Sequence, residues 1–305
     1  MTDFARQRAA LADVVAIPVT PFTESGQVDQ ERYRALVRRL LTSGVQALTP
    51  NGNTSEFYAL SPEERRAEVE WTLAEVEAAG AEAQVLVGVG LDLSTAVASA
   101  LEARAAGAGM VMVHQPVHPY VSRDGWVDYH RAIAEAVPDI GVVPYLRNPA
   151  IDGASLARLG DACPNVIGVK YAVPDVVRFA SVARDAGLDR FVWVAGLAEL
   201  WAPSYFVSGA TGFTSGLVNV APEVSLALRD ALRAGDHAAA MRVWELIRPF
   251  EELRAANQSA NNVTVVKEAL AALGLCRREL RPPSTVLPPE ERERVATMVK
   301  GWKLP

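Results

Sequence analysis

The feature that most constrains the fold of this chain is a strict alternation of short apolar runs with longer amphipathic stretches. Eight such pairs follow one another over residues 1–221, and the first predicted strand lies at 13–19. A strand that is always followed by a helix predicts a parallel sheet. Runs such as VLVGVG and MVMVH are apolar on both faces, as in strands that are buried on both sides. Eight units therefore predict an α/β fold, a closed TIM (β/α)8 barrel.

An open, doubly wound sheet is the alternative fold, but no GxGxxG sequence follows the first strand. From Pro222 onward the alternation stops, and several helical stretches follow without strands between them. Neither a low-complexity segment nor a long linker separates the two regions. We therefore predict a barrel at 1–221 and a C-terminal helical extension at 222–305 that packs on the barrel.

The charge and the cysteine content narrow the functional classes. A net charge of −6 without basic clusters argues against nucleic acid and against an anionic membrane surface as partners. No run of 18 apolar residues is present, and the first residues lack the apolar core of a signal peptide. Cys163 and Cys276 lie far apart in sequence, so we expect two free thiols in a cytoplasmic protein.

The predicted sixth strand is an apolar run that ends in Lys170, and reactive residues of TIM barrels lie at the carboxyl ends of strands. Alternation puts Val166, Gly168 and Lys170 on one face, with Ile167 on the other. If the first face is the barrel interior, desolvation lowers the pKa of the lysine, and the free amine can attack a carbonyl. A lysine that merely reaches solvent is the alternative. Lysine is scarce here, with four among 30 basic residues, which favours the catalytic interpretation.

Three other strand ends carry polar side chains. Tyr145 ends strand five, where a phenol could transfer protons beside Lys170, although an aromatic residue can also serve packing alone. Strand two leads into small polar residues at 51–56, which suit either a carboxylate-binding turn or an ordinary loop. Strand four leads to His114 and His118, for which we expect a polar rim, because no third metal ligand is in view.

Four ordered segments resemble the dihydrodipicolinate synthase / N-acetylneuraminate lyase family over essentially the whole chain. GNTSEFYALSPEER resembles its GxTGE signature, and VIGVKYAVPD resembles its Schiff-base lysine motif. TGFTSGLVNVAPE and the C-terminal VVKEALAALG with RRELRPPSTVLPPEE are similar to later family segments. The resemblance implies a class I Schiff-base aldolase or lyase, usually a homotetramer built as a dimer of dimers. It also implies condensation with pyruvate or a longer 2-keto acid, without a cofactor or metal.

The family motifs also assign roles by position. Lys170 matches the residue that forms the Schiff base, and Tyr145 matches the proton shuttle. Asn53 and Thr54 match the pair that holds the carboxylate of the keto acid. Gly196 and Thr214 match positions that line the pocket.

The chain departs from the family pattern at several of these positions. Ser55 replaces the glycine of the GxTGE signature. The arginine with which the synthases bind the carboxylate of their second substrate aligns with Ala150, and Arg147 lies close by. A tyrosine that the synthases share across a subunit interface aligns with His118. The Schiff-base chemistry is thus expected to be kept and the second-substrate site to be changed, with Arg147 a candidate for the distal end of a longer keto acid.

Three functions are compatible with these residues. The leading hypothesis is a Schiff-base-forming lyase, either an aldolase or a dehydratase, that acts on pyruvate or a longer 2-keto acid. Dihydrodipicolinate synthase of lysine biosynthesis is an alternative, which Ala150 and His118 oppose. A non-catalytic barrel that binds a keto acid is the third, which the presence of both Lys170 and Tyr145 opposes.

Overall fold

The computed structural model describes residues 4–302, and its centre is a closed barrel of eight strands in sequence order. The neighbouring strands from β2–β3 round to β7–β8 pair in parallel. The predicted TIM barrel is therefore confirmed. The strands are β1 Val14–Ala16, β2 Ala47–Leu48, β3 Gln84–Val89, β4 Met110–Val113, β5 Gly141–Leu146, β6 Gly168–Tyr171, β7 Val192–Ala195 and β8 Gly212–Ser215.

Twelve α-helices lie within the described residues. They are α1 Ala5–Leu11, α2 Gln30–Thr42, α3 Pro62–Ala78, α4 Leu93–Ala105, α5 Arg123–Ala136, α6 Gly153–Ala162, α7 Val176–Ala186, α8 Ala198–Ser208, α9 Pro222–Arg233, α10 His237–Ser259, α11 Asn262–Ala272 and α12 Pro289–Gly301. In this part of the chain, no helix is both long and apolar enough to cross a bilayer.

The chain forms two compact units. The strand unit comprises residues 4–15, 46–49 and 83–214, and the helical unit comprises residues 16–45, 50–82 and 215–302. These units do not follow the boundary at residue 221, so the division into a barrel and an extension stays a prediction. Residues 1–3 and 303–305 of the two predicted domains lie outside the described residues.

The strand unit is built on apolar residues that point into the barrel. Leu86, Met110 and Val143 from neighbouring strands belong to one buried cluster. Helix α1, which the sequence pattern did not predict, packs against β3 and β7. Its Ala10 and Leu11 belong to the same cluster, so α1 contributes to the core of this unit.

The helical unit shows how local sequence starts its helices. The Ser61 side chain accepts a hydrogen bond from the Glu64 backbone N–H, and the Glu64 carboxylate accepts one from the Ser61 N–H. Pro62 occupies the first turn of α3, where its missing N–H is not needed. These two hydrogen bonds form a capping box, which the three-residue spacing of Ser61 and Glu64 allows. Asp29 caps α2 in a similar way by accepting from the Arg32 N–H.

Candidate active site

The candidate active site is built around Lys170 at the carboxyl end of β6. Lys170 pairs with Tyr145 of β5 and with Val194 of β7. Its side chain is inside the barrel wall, with 3% of the residue exposed. The sequence prediction that this lysine is enclosed rather than directed to solvent is confirmed.

The alternation predicted along the sixth strand is wrong, because β6 is irregular where it faces β5. Val166 opposes Val142, while Lys170 opposes Tyr145, so four steps on one strand match three on the other. Pro144 lies between the paired residues of β5 and has no N–H to donate, which interrupts the ladder. This is a β-bulge, and it re-aims the side chains that follow it. Ile167, expected on the opposite face, belongs to the same buried cluster as Tyr145.

Burial lowers the pKa of Lys170 to about 7, because a charged ammonium loses its hydration in this position. The Lys170 Nζ atom lies 4.3 Å from the centroid of the Tyr145 ring, and this π face favours the cation. Among the described residues no carboxylate forms a salt bridge with Lys170. A substantial fraction of the amine is therefore uncharged near neutral pH, and an uncharged amine is a nucleophile.

Tyr145 brings a phenol next to this amine. It is buried, and the ring of His114 meets it edge to face with ring centroids 6.3 Å apart. His114 is itself fully buried, and its backbone N–H donates to the Val89 carbonyl at the end of β3. His114 is thus a packing neighbour of Tyr145, whereas the sequence placed it in a polar rim. A phenol so close to a reactive amine can exchange protons with it or with a bound substrate.

The ends of β7 and β8 complete the surroundings of Lys170. A Cβ atom on Gly196 would lie 3.0 Å from Lys170 Cγ and 2.9 Å from the Tyr171 carbonyl oxygen. Only glycine therefore leaves the lysine stem its space at this position. Thr214 is buried, and its hydroxyl donates to the Ala195 carbonyl at 3.4 Å. The structure thus places Gly196 against the Lys170 stem, and the pocket-lining roles of Gly196 and Thr214 stay predictions.

His118 and Arg147 are exposed, in contrast to Lys170 and Tyr145. The His118 Nδ1 atom lies 3.1 Å from the Tyr120 backbone nitrogen, which donates to it. The Arg147 backbone N–H donates to the Gln115 side chain at 3.4 Å. The roles predicted for His118 and Arg147 in substrate binding stay predictions.

Two arginines that the sequence did not single out bind the loop that contains Ala150. The Arg123 Nε donates to the Ala150 carbonyl at 2.9 Å, and Arg123 also pairs with Asp152 at 2.7 Å. Arg178 donates to the Ile151 carbonyl at 3.2 Å. Both arginines lie 27 residues from their carbonyl partners, so no local motif could have indicated this contact.

Asn53 and Thr54 belong to the helical unit, in a tight turn that we call the signature turn, residues 52–57. The Glu56 N–H donates to the Asn53 carbonyl at 3.0 Å, and the Ser55 N–H donates to the Gly52 carbonyl at 3.1 Å. Thr54 is buried and Asn53 is half-buried. The carboxylate-binding role of Asn53 and Thr54 stays a prediction.

Ser55 replaces the glycine of the family signature, and the structure shows why a side chain fits. Ser55 does not have a positive φ, so this position does not need glycine. Its hydroxyl donates to the Pro18 carbonyl at 2.5 Å, and its own carbonyl accepts from the Thr20 hydroxyl at 2.7 Å. The substitution therefore adds a hydrogen bond to the signature turn.

The described residues contain no group of three or more His, Cys, Asp or Glu side chains that could hold a metal ion. Cys163 and Cys276 are both buried and free, as the sequence predicted. Catalysis without a metal stays a prediction.

Comparison with known proteins gives one family and two kinds of relative. The model of the dihydrodipicolinate synthetase family matches residues 10–301. A protein of Rhizobium rhizogenes, named a probable 5-dehydro-4-deoxyglucarate dehydratase, is 32% identical over 97% of this chain and 97% of its own length. A Rhodococcus opacus protein of the same name is 30% identical, with 94% of each chain covered.

Solved structures are similar over the same extent. Dihydrodipicolinate synthase from Bacillus clausii is 41% identical, with a TM-score of 0.92, over 98% of this chain and 100% of that one. The synthase from Oceanobacillus iheyensis is 36% identical, with a TM-score of 0.92, over 98% and 99%. YagE from E. coli, solved in complex with pyruvate, is 26% identical, with a TM-score of 0.84, over 96% and 99%.

Proposed function

The chain belongs to the dihydrodipicolinate synthetase family, and from this premise we propose that it dehydrates a sugar-derived 2-keto acid through an imine on Lys170. Membership makes the chain a lyase of the class I aldolase type that acts on a keto acid. The observation that carries the proposal is the buried Lys170, whose pKa is about 7 and whose Nζ lies beside the Tyr145 ring.

The chemistry begins with attack of the uncharged Lys170 amine on the ketone carbon of the substrate. Tyr145 gives its phenolic proton to the hydroxyl group of the carbinolamine, which leaves as water, so that a protonated imine and a phenolate remain. The protonated imine withdraws electrons from the neighbouring carbon. That carbon releases a proton to Tyr145, and the electron pair then expels a hydroxyl group from the next carbon as water, with Tyr145 returning the proton. Hydrolysis of the imine frees the product and the lysine.

The names of the relatives describe a suitable substrate. A 5-dehydro-4-deoxyglucarate has a ketone beside one carboxylate, a methylene group next to the ketone, a hydroxyl on the following carbon and a second carboxylate at the far end. This arrangement lets an imine drive the loss of water. We propose a dicarboxylic keto acid of this class as the substrate of the chain.

Binding of that substrate is assigned by motif position. Asn53 and Thr54 would hold the carboxylate next to the ketone, and Gly196 and Thr214 would line the pocket beside the reacting carbons. Arg147 is proposed for the far carboxylate, because its charge is exposed and it follows Tyr145 by two residues. His118 is proposed as a polar group of the rim.

Dihydrodipicolinate synthase is the second candidate function, because the structures at 41% and 36% identity carry that name. The condensation it catalyses must also bind the carboxylate of an aldehyde substrate, for which a bidentate arginine is suited. Ala150 occupies the aligned position and offers no charge. This difference favours the dehydratase proposal.

We further propose that the chain forms a homotetramer, a dimer of dimers, and works in the cytoplasm without a cofactor or metal. The family resemblance supports the tetramer, and the two free cysteines agree with a reducing compartment. Sedimentation should give four times the chain mass. Exhaustive chelation should leave turnover unchanged, and a loss that one divalent ion restored would refute the metal-free proposal.

Reductive trapping tests the central proposal. Borohydride added with pyruvate should add a pyruvate-derived mass to the protein, and Lys170→Ala should stay unlabelled. Labelling of Lys170→Ala as strong as that of the wild type would place the imine elsewhere.

A product screen separates the two candidate functions. Hydroxylated dicarboxylic 2-keto acids should yield products that are lighter by one water. Pyruvate with aspartate semialdehyde should react poorly, and a kcat/KM of about 10⁴ M⁻¹s⁻¹ or more for that pair would establish the synthase instead.

A further inference from the structure

The helical unit contains a second buried lysine that the proposed chemistry does not use. Lys267 of α11 is 0% exposed. Its ammonium donates to the Glu56 carboxylate and, at 3.0 Å, to the Glu279 carbonyl. The Nζ atom also lies 4.1 Å from the centroid of the Phe22 ring. A lysine held this way is not a free nucleophile, and its direct partner is a residue of the signature turn.

Glu56 is the residue at which the signature turn reverses. It adopts the left-handed conformation, with φ 59° and ψ 37°, which residues with a Cβ rarely populate. The Glu56 N–H donates to the Asn53 carbonyl, and the Phe57 N–H donates to the Gly52 carbonyl at 3.3 Å. Because this conformation is disfavoured locally, the contact with Lys267 helps to hold it.

A second buried acid supports the neighbouring residue of the turn. The Thr20 hydroxyl lies 2.7 Å from the Ser55 carbonyl and also contacts the Glu68 carboxyl group. A hydroxyl has one proton, and the Ser55 carbonyl can only accept, so that proton is used there. The contact between Thr20 and Glu68 then requires a proton on Glu68. Burial raises the pKa of Glu68 to about 8, which agrees with a protonated acid.

The charges around the signature turn therefore balance. Glu68 is neutral, and Glu56 with Lys267 forms a pair that is neutral as a unit whichever group holds the shared proton. Burial raises the pKa of Glu56 and lowers that of Lys267, in each case against the attraction of its partner. Removing only one member would leave a buried polar group without its partner.

We infer that Lys267 is a positioning residue: through Glu56 it fixes the signature turn and thereby sets how tightly Asn53 and Thr54 hold the carboxylate of the keto acid. This inference rests on the proposed function, since it uses the carboxylate-binding role of those two residues. Lys267 contacts neither the substrate nor the imine in this scheme. Its loss should weaken keto-acid binding and leave the chemistry at Lys170 intact once the protein is saturated.

Three variants test this inference: Lys267→Met, Glu56→Gln and the double variant. Each is incubated with increasing pyruvate and borohydride, and the labelled fraction is followed by intact mass. Lys267→Met should need roughly ten- to hundredfold more pyruvate for half-maximal labelling, with an unchanged plateau, because a displaced binding group costs about that factor. The matched control is Lys300→Met, which removes an exposed lysine of α12 and should behave as the wild type.

The double variant separates positioning from folding. Replacing both partners of a buried pair by neutral groups is often tolerated, so its melting temperature should return toward that of the wild type. Its half-maximal pyruvate concentration should stay raised, because glutamine and methionine cannot hold the turn through a charged hydrogen bond. Recovery of both properties together would overturn the inference, as would a lower labelling plateau in a folded Lys267→Met protein.

Labelling with a ketone that has no carboxylate tests whether Lys267 acts through the carboxylate-binding residues. Acetone should label the wild type and Lys267→Met at equal concentrations, since it does not use Asn53 or Thr54. An equal loss of acetone and pyruvate labelling in Lys267→Met would contradict a role through the carboxylate. Failure of the imine on Lys170 looks different, because pyruvate would then not label the wild type at all, and failure of the dehydratase proposal alone would show only in the product screen.

Discussion

The strand unit and the helical unit each bury one lysine, and the two lysines differ in the groups that contact the side-chain nitrogen. Lys170 is 3% exposed and Lys267 is 0% exposed, so both have lost their hydration. Lys267 has the Glu56 carboxylate as a partner, whereas Lys170 has the ring of Tyr145. Burial alone lowers the pKa of Lys170, while for Lys267 the attraction of Glu56 opposes that effect. The partner, rather than the depth of burial, separates a nucleophile from a structural cation.

The largest expected effects come from replacing each of the two lysines by methionine. Lys170→Met should abolish turnover, a loss on the order of 10⁵-fold or more, because the nucleophile is removed. Lys267→Met should keep the nucleophile but destabilise the protein by about 3–5 kcal/mol, because it leaves Glu56 buried without its partner. Thermal unfolding and steady-state kinetics measure the two effects. A folded Lys170→Met protein whose turnover still saturates with substrate would refute the assignment of Lys170 as the nucleophile.

Stability against pH sharpens the assignment of Lys170. Its pKa of about 7 in the folded state lies below the ordinary 10.5, so the unfolded state binds more protons between these values. The free energy of unfolding of the wild type should therefore rise with pH between about 7 and 10.5. Lys170→Met lacks this contribution, so it should be at least as stable as the wild type at pH 7, with an advantage that shrinks toward pH 10.5. Chemical denaturation at several pH values measures this difference.

The second largest effect concerns Tyr145. Tyr145→Phe keeps the ring beside Lys170 and removes only the hydroxyl. General acid–base groups contribute about 10²–10⁴-fold, so kcat should fall by that factor while borohydride trapping persists. An unchanged kcat would mean that Tyr145 only packs against its neighbours and transfers no proton. The fully buried Tyr205 makes a suitable control, since its hydroxyl bonds a backbone carbonyl of its own unit.

Much of the strand unit followed from the sequence, because its elements are set by local patterns. Alternating apolar and amphipathic runs placed all eight strands, and the end of β6 pointed to Lys170. The bulge of β6 could not be predicted, since it depends on Pro144 of the neighbouring strand. Helix α1 was missed because seven residues are too few for a clear helical period.

In the helical unit, the sequence predicted the helices but not the contact between Lys267 and Glu56. The capping box of α3 was readable because Ser61 and Glu64 lie three residues apart. The pair of Lys267 with Glu56 joins residues 211 positions apart, and no local pattern encodes such a contact. Lysine is scarce in the sequence, but scarcity cannot indicate which residue Lys267 pairs with.

Glu68 gives a third test, on the helical unit alone. Its pKa of about 8 in the folded state lies above the ordinary 4.5, so the unfolded state releases the proton first as pH rises. The contribution of Glu68 to the free energy of unfolding is therefore complete below about pH 4.5 and is lost as pH rises toward 8. Between pH 4.5 and 7 the wild type should lose roughly 3 kcal/mol more than Glu68→Gln, whose amide can still donate to Thr20.

The charged groups that act on Glu68 are Lys267, Glu56 and Glu64, and they stay in place in this variant. Glu70→Gln, an exposed change on the same helix, is the matched control and should follow the wild type. Urea denaturation at each pH gives the free energies. Parallel pH profiles for the wild type and Glu68→Gln would mean that Glu68 is ionised in the folded protein.

The smallest expected effect lies in the pH dependence of imine formation. At low pyruvate the trapping rate follows the fraction of uncharged Lys170, so it should fall about tenfold per unit below pH 7 and level off above it. Tyr145→Phe keeps the π face and should keep this midpoint. Tyr145→Leu removes the face, which favours the cation by about 0.5–1 kcal/mol, so its midpoint should move down by less than one unit. A wild-type trapping rate that still rose toward pH 10 would mean that Lys170 titrates as a hydrated lysine. Burial without a carboxylate partner would then not explain how Lys170 differs from Lys267.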